Sequence, residues 1–106
     1  MQISPQYDAM LTLAIPVSLE EDVLDFLLLH PALARGFSIA NAEGLGQGAS
    51  LMTTMEKVQG RSRRKLVFVV GTQAELSQLI TLLAAEIRNS DVAYWVTPVM
   101  TFGRLV

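Results

Sequence analysis

Twice in this chain a run of strand-forming residues passes, within a few positions, into a Ser/Thr-x-x-Glu box that starts a helix. This repeat limits the fold more than any other feature. In the first copy, positions 7–15 alternate Met10, Thr12 and Ala14 against Leu11, Leu13 and Ile15, the period of a strand with two unlike faces, and Pro16 ends the run. Ser18-Leu-Glu-Glu21 follows as a capping box, with Glu20, Glu21 and Asp22 suited to the positive end of a helix dipole. Leu19, Val23, Phe26, Leu27 and His30 then recur at three- and four-residue spacing, and Pro31 predicts the helix end at about His30. In the second copy, LVFVV at 66–70 is continuously apolar, as a strand covered on both faces should be. Thr72-Gln-Ala-Glu75 is the second box, and Leu76, Leu79, Ile80, Leu83 and Ile87 place one apolar stripe on a helix over 74–88.

Two further strands complete the set. Positions 36–42, GFSIANA, set Phe37 and Ile39 against Ser38 and Ala40. Positions 92–100 form the last strand, where Pro98, with no amide to donate, predicts a sheet edge or at least an unpaired stretch. The succession predicts one α+β domain over 1–106, a ferredoxin-like βαββαβ fold. Its four-stranded antiparallel sheet has order 4-1-3-2 and carries both helices on one face. LVFVV and YWVTPV are apolar on both sides, so the second sheet face calls for a partner, and self-association is the economical answer.

Composition narrows the function classes. Apolar residues make up 51% and charged residues 17% of the chain, more apolar surface than a lone domain of 106 residues usually hides. A net charge of −2 argues against a nucleic-acid binder working through a global positive field. With no cysteine, disulfides and thiol catalysis are excluded. The start, MQISPQYDAMLTLAIP, lacks the positive region of a signal peptide, and no run reaches the roughly 18 apolar residues of a membrane span. A cytoplasmic protein without membrane insertion is expected. No hydroxyl or carboxylate is paired with a base at a recognisable spacing, so an enzyme is not expected, and nothing calls for a resident cofactor.

Function is expected in the connection over 43–65, EGLGQGASLMTTMEKVQGRSRRK, which is long for so small a domain. It opens on Gly44, Gly46 and Gly48 and closes on Arg61, Arg63, Arg64 and Lys65, half of the chain's eight basic residues. Arginine forks suit phosphate and carboxylate, while a solvated basic hairpin is the plainer reading. The glycines resemble a phosphate-cradling loop, but no Lys-Ser/Thr follows them. Leu51, Met52, Met55 and Val58 are spaced for a short helix ended by Gly60, or for no regular structure.

The order of elements, the long loop, the GRSRRK lead and above all Tyr94-Trp95-Val96-Thr97-Pro98-Val99 with Gly103-Arg104-Leu105 resemble an uncharacterised bacterial family described as PII-like. Its members resemble the PII nitrogen-regulatory signalling proteins in fold, and several are encoded near heavy-metal efflux pumps. The resemblance implies a trimer with sheets facing inward, ligand clefts between subunits, and the 43–65 loop projecting as the PII T-loop does, towards a partner such as a transporter or enzyme. It carries Gly46 and Gln47 over as ligand-contacting positions and sets Arg104 where PII proteins contact phosphate. The connection Arg88-Asn-Ser-Asp91 departs from the pattern, having neither the glycine nor the lysine with which PII proteins hold phosphates there.

The expected site is therefore Gly44, Gly46, Gln47, Arg61, Arg63, Arg64 and Arg104, binding a small anionic ligand, with nucleotides among the candidates, or an acidic partner segment. The alternative is a metal-tolerance accessory protein like CutA. Against it stand four clustered cations, one histidine and no cysteine. His30 reads as packing or as a dipole contact, Met52 and Met55 as gap-fillers, and Tyr94 and Trp95 as anchors on opposite faces of one strand. No metal site is expected.

Overall fold

A computed structural model describes residues 2–3, 7–44 and 62–106. The alternating run becomes strand β2 (Ala9–Pro16), and a short strand β1 (Gln2–Ile3) precedes it. Helix α1 (Glu20–Leu28), strand β3 (Phe37–Gly44) and strand β4 (Ser62–Gly71) follow. Helix α2 (Gln73–Glu86), strand β5 (Ala93–Pro98) and a short β6 (Gly103–Arg104) complete the described elements. The main sheet has order β3-β4-β2-β5 with every pair antiparallel, which is the expected 4-1-3-2 plan, while β1 and β6 pair separately. Strand β5 takes the edge, where Pro98 costs no ladder hydrogen bond to a further strand.

The two boxes behave differently. Thr72 is extended at φ −85°, ψ 150°, and its hydroxyl accepts from the Glu75 amide at 3.1 Å while lying 3.1 Å from the Glu75 carboxylate. The next amide, of Gln73, donates to the Asp8 carboxylate at 3.1 Å. At the other helix the expected Ser18 cap does not form. Pro16, fixed at φ −61°, starts a 3₁₀ turn over Val17–Leu19, so Ser18 falls inside the turn, and Leu19 precedes α1 without a side-chain cap. Glu20, Glu21 and Asp22 still occupy the first turn of α1.

The strand register sorts residues by face. Leu13 stands between Val67 and Tyr94, and Leu11 between Val69 and Val96. This is the helix-covered side, where Leu11, Leu13, Ile15, Val67 and Val69 meet Val23, Phe26 and Leu27 of α1 and Leu76, Leu79 and Leu83 of α2 in one buried core. At ~2–3 kcal/mol per fully buried large aliphatic side chain, this layer is the main source of stability. On the opposite face Thr12 lies between Phe68 and Trp95, and Ala14 between Leu66 and Ala93. That face is apolar as expected, with Trp95 still 45% exposed. At its centre Thr12 is 1% exposed, and its hydroxyl has no hydrogen-bond partner among the described residues.

Several boundaries move. Strand β4 begins at Ser62, four residues before the expected Leu66, because Ser62 to Lys65 pair with Gly44 to Asn41 of β3. Arg63, Arg64, Lys65, Glu43 and Gly44 thus belong to ladder strands, and the connection shrinks to residues 45–61. The helix considered within it lies outside the described residues. Helix α2 ends at Glu86 and not Arg88, with Ile87 leaving helical geometry at φ −111°. Helix α1 ends at Leu28, and β5 ends at Pro98, not Met100.

Candidate functional site

The stem of the long connection is a β3–β4 ladder in which Arg63 faces Glu43, Arg64 faces Ala42 and Lys65 faces Asn41. Alternation along β4 sends Arg63 and Lys65 to the helix side and Arg64 to the opposite side. Lys65 donates to Asn41 Oδ1 at 2.6 Å and lies 3.7 Å from the Glu20 carboxylate, tying the stem to the start of α1. Two of the three described cations of the run therefore face acidic neighbours and not a shared anion site.

Of these three described cations, Arg64 alone turns to the open sheet face. There it borders a recess of about 450 Å³ whose floor is Ala14, Leu66 and Ala93 and whose walls include Trp95, Gly44 and Asp91. Its guanidinium donates to the Asp91 carbonyl at 3.2 Å, and the Asp91 amide in turn donates to Asn89 Oδ1 at 2.8 Å. The α2–β5 connection thus reaches the loop stem, although it lacks the glycine and lysine of the PII pattern. With Glu43 and Asp91 also on its border, this recess is of mixed charge and not the concentrated positive patch that the basic run suggested.

Arg104 lies elsewhere. It pairs with Gln2 through β6 and borders a second recess, of about 360 Å³, with Ser38, Phe68 and Val70 of the open face. Arg64 and Val70 are six residues apart on β4, so at ~3.3 Å per residue the two recesses are ~20 Å apart along the strand. Within one chain Arg104 and the loop stem are not brought together. Gly46, Gln47 and Arg61 lie outside the described residues.

The second recess holds a cation that the sequence did not single out. Arg35 sits 6.0 Å from the Tyr7 ring centroid and 3.5 Å from the Glu75 carboxylate, and Tyr7 contacts Phe102 edge-on at 5.0 Å. The Tyr7 hydroxyl, followed by the Glu75 carboxylate, raises the Arg35 pKa above its ordinary value. Two guanidinium groups and the rings of Tyr7, Phe68 and Phe102 suit a planar or anionic group. The only sequence signal was Arg35 preceding Gly36 at a strand start, which many surface arginines share.

His30 packs as expected: its Nδ1 lies 2.9 Å from the Phe26 carbonyl and its ring 4.4 Å from the Phe26 ring. Among the described residues no group of three or more His, Cys, Asp or Glu side chains could hold a metal ion. Nor is any described helix long and apolar enough to cross a membrane.

Solved structures share this fold. A DUF3240 family protein from Shewanella baltica OS155 aligns at a TM-score of 0.74 with 21% identity, covering 94% of this chain and 98% of that one. CPII, a nitrogen regulatory PII-like protein from Thiomonas intermedia K12 bound to ADP, AMP and bicarbonate, aligns at 0.67 with 13% identity over 93% of this chain and 96% of that one. CutA from Synechococcus elongatus PCC7942 aligns at 0.64 with 17% identity over 91% and 80%. At these identities the likeness is one of fold. No curated protein matches the sequence. Residues 6–106 match the family described as "Protein of unknown function (DUF3240)", and the chain belongs to it.

Proposed function

We propose that this chain is a cytoplasmic, non-enzymatic regulatory module that assembles as a homotrimer, binds a small anionic ligand between subunits and signals through residues 45–61 to a partner such as a transporter. The observation that carries this reading is the placement of the two recesses at opposite ends of the same apolar sheet face, each bordered by an arginine. A ring is built from heterologous contacts, so unlike ends of that face meet at every subunit boundary. The Arg64–Gly44–Trp95 recess of one subunit then closes against the Arg35–Arg104 recess of the next, and Arg104 reaches the loop stem from the neighbour. The structurally similar CPII, bound to ADP, AMP and bicarbonate, makes adenine nucleotides the first ligand class to try.

The test is light scattering behind size exclusion, followed by thermal shifts with ADP, AMP, ATP and bicarbonate, since a ligand that prefers the folded state raises the melting temperature. A trimer is expected, with a nucleotide shift that is lost in Arg64→Ala and in Arg104→Ala while the mass stays unchanged. A monomer at micromolar concentration, or a shift surviving both substitutions, overturns the inter-subunit site. A shift produced by copper or zinc and not by nucleotides favours the CutA-like metal-tolerance reading.

A further inference from the structure

The charges of this chain are segregated by layer. Glu20, Glu21, Asp22 and Asp25 on α1 and Glu75 and Glu86 on α2 make six of the chain's ten acidic residues, and neither helix carries a lysine or arginine. Between the helices runs a groove of about 620 Å³ on the side away from the open sheet face. Its floor is apolar, from Phe26, Leu29, Leu82 and Ile87, and its rim carries Asp22, Asp25 and Glu86. Among the described residues none of these three carboxylates has a cationic partner. Leu29 is 77% exposed and Leu82 37%, so the fold leaves most of Leu29 and a smaller part of Leu82 uncovered.

We propose that this groove docks a cationic amphipathic helix of a partner protein. The shape selects a helix: Asp22 and Asp25 on α1 and Leu29 at its C-cap follow one another at three- and four-residue spacing, as Leu82 and Glu86 do on α2, and a third helix can lay its apolar ridge between two such rows. The charge selects the sign. Lysines and arginines flanking the apolar ridge meet the three rim carboxylates, whereas nucleic acid, anionic lipid surfaces and acidic peptides are repelled. The surface lies on the helix layer, so it does not depend on the ligand site or on the assembly through the sheet face.

The probe is a fluorescent Leu/Lys amphipathic peptide of about five helical turns, ~18 residues, with a control of the same composition whose order scatters the leucines around the helix. Fluorescence anisotropy is expected to show binding of the patterned peptide that weakens with added salt. Affinity should fall at least about tenfold in the triple variant Asp22→Asn, Asp25→Asn, Glu86→Gln and also in Leu29→Ser, all at exposed or half-buried positions whose circular dichroism should stay native. Equal binding of the scattered control reduces the effect to bulk charge attraction and overturns the proposal. So does binding unaffected by either variant. Light scattering guards against the remaining occupant: a wild-type assembly that the triple variant halves in mass assigns the groove to a second copy of this chain, which also overturns it.

Discussion

Replacing Thr12 by valine tests the reading of the open sheet face most directly. Thr12 is 1% exposed between Phe68 and Trp95, and its hydroxyl lacks a partner among the described residues. A buried hydroxyl left unbonded costs ~1–3 kcal/mol relative to water. Valine has nearly the same shape and is β-branched like threonine, so strand propensity and packing are retained while that cost is removed. Thr12→Val should therefore gain about 1–2 kcal/mol, and a domain of this size shifts its melting temperature by about 4–8 °C per kcal/mol. The assay is urea and thermal unfolding at several protein concentrations, because association makes apparent stability depend on concentration. A loss of stability at all concentrations refutes the reasoning, since it means that the hydroxyl is already bonded. A loss confined to high concentration, with a smaller particle mass, places its partner on a neighbouring subunit.

The two helix boxes should respond unequally: Thr72→Ala is expected to cost ~1 kcal/mol, because that hydroxyl caps α2, whereas Ser18→Ala should stay within ~0.5 kcal/mol. Paired urea titrations compare them, and equal losses would show that Ser18 caps α1 in solution. Trp95→Ala removes a large ring that is 45% exposed in the single chain. It should lower the assembly mass in light scattering more than it lowers the stability of the folded chain, since the ring touches little of the core.

The elements were legible because their signals are local. A period of two over 9–16 and of 3.6 over 73–86 is written in neighbouring residues, and Pro98 announced an edge by chemistry alone. What failed was decided from a distance. Ser18 and Thr72 open the same motif, but only Thr72 leaves its strand at an angle that sets the hydroxyl over the helix amides, while Pro16 turns the chain early and absorbs Ser18 into a 3₁₀ turn. Arg63, Arg64 and Lys65 read as loop because charged residues do not look like a strand; pairing with β3 makes them one. The site was half legible for the same reason. Gly44 and Arg64 do border one recess, but the distribution of Arg63, Lys65 and Arg104 follows from register and from β6, and Arg35 gains its setting from Tyr7 and Phe102.

The ladder at the loop stem has a consequence for how this surface can change. Arg63 and Arg64 are covalent neighbours on opposite sides of a wall one residue thick. Arg63 answers to the helix side, while Arg64 answers to the α2–β5 turn and the recess beside Trp95. A substitution at one is therefore insulated from the other by the backbone between them, and recognition on the open face can drift without retuning the helix side. An insertion of one residue ahead of Arg63 that shifted the register would exchange the two environments and rewrite both surfaces in a single step.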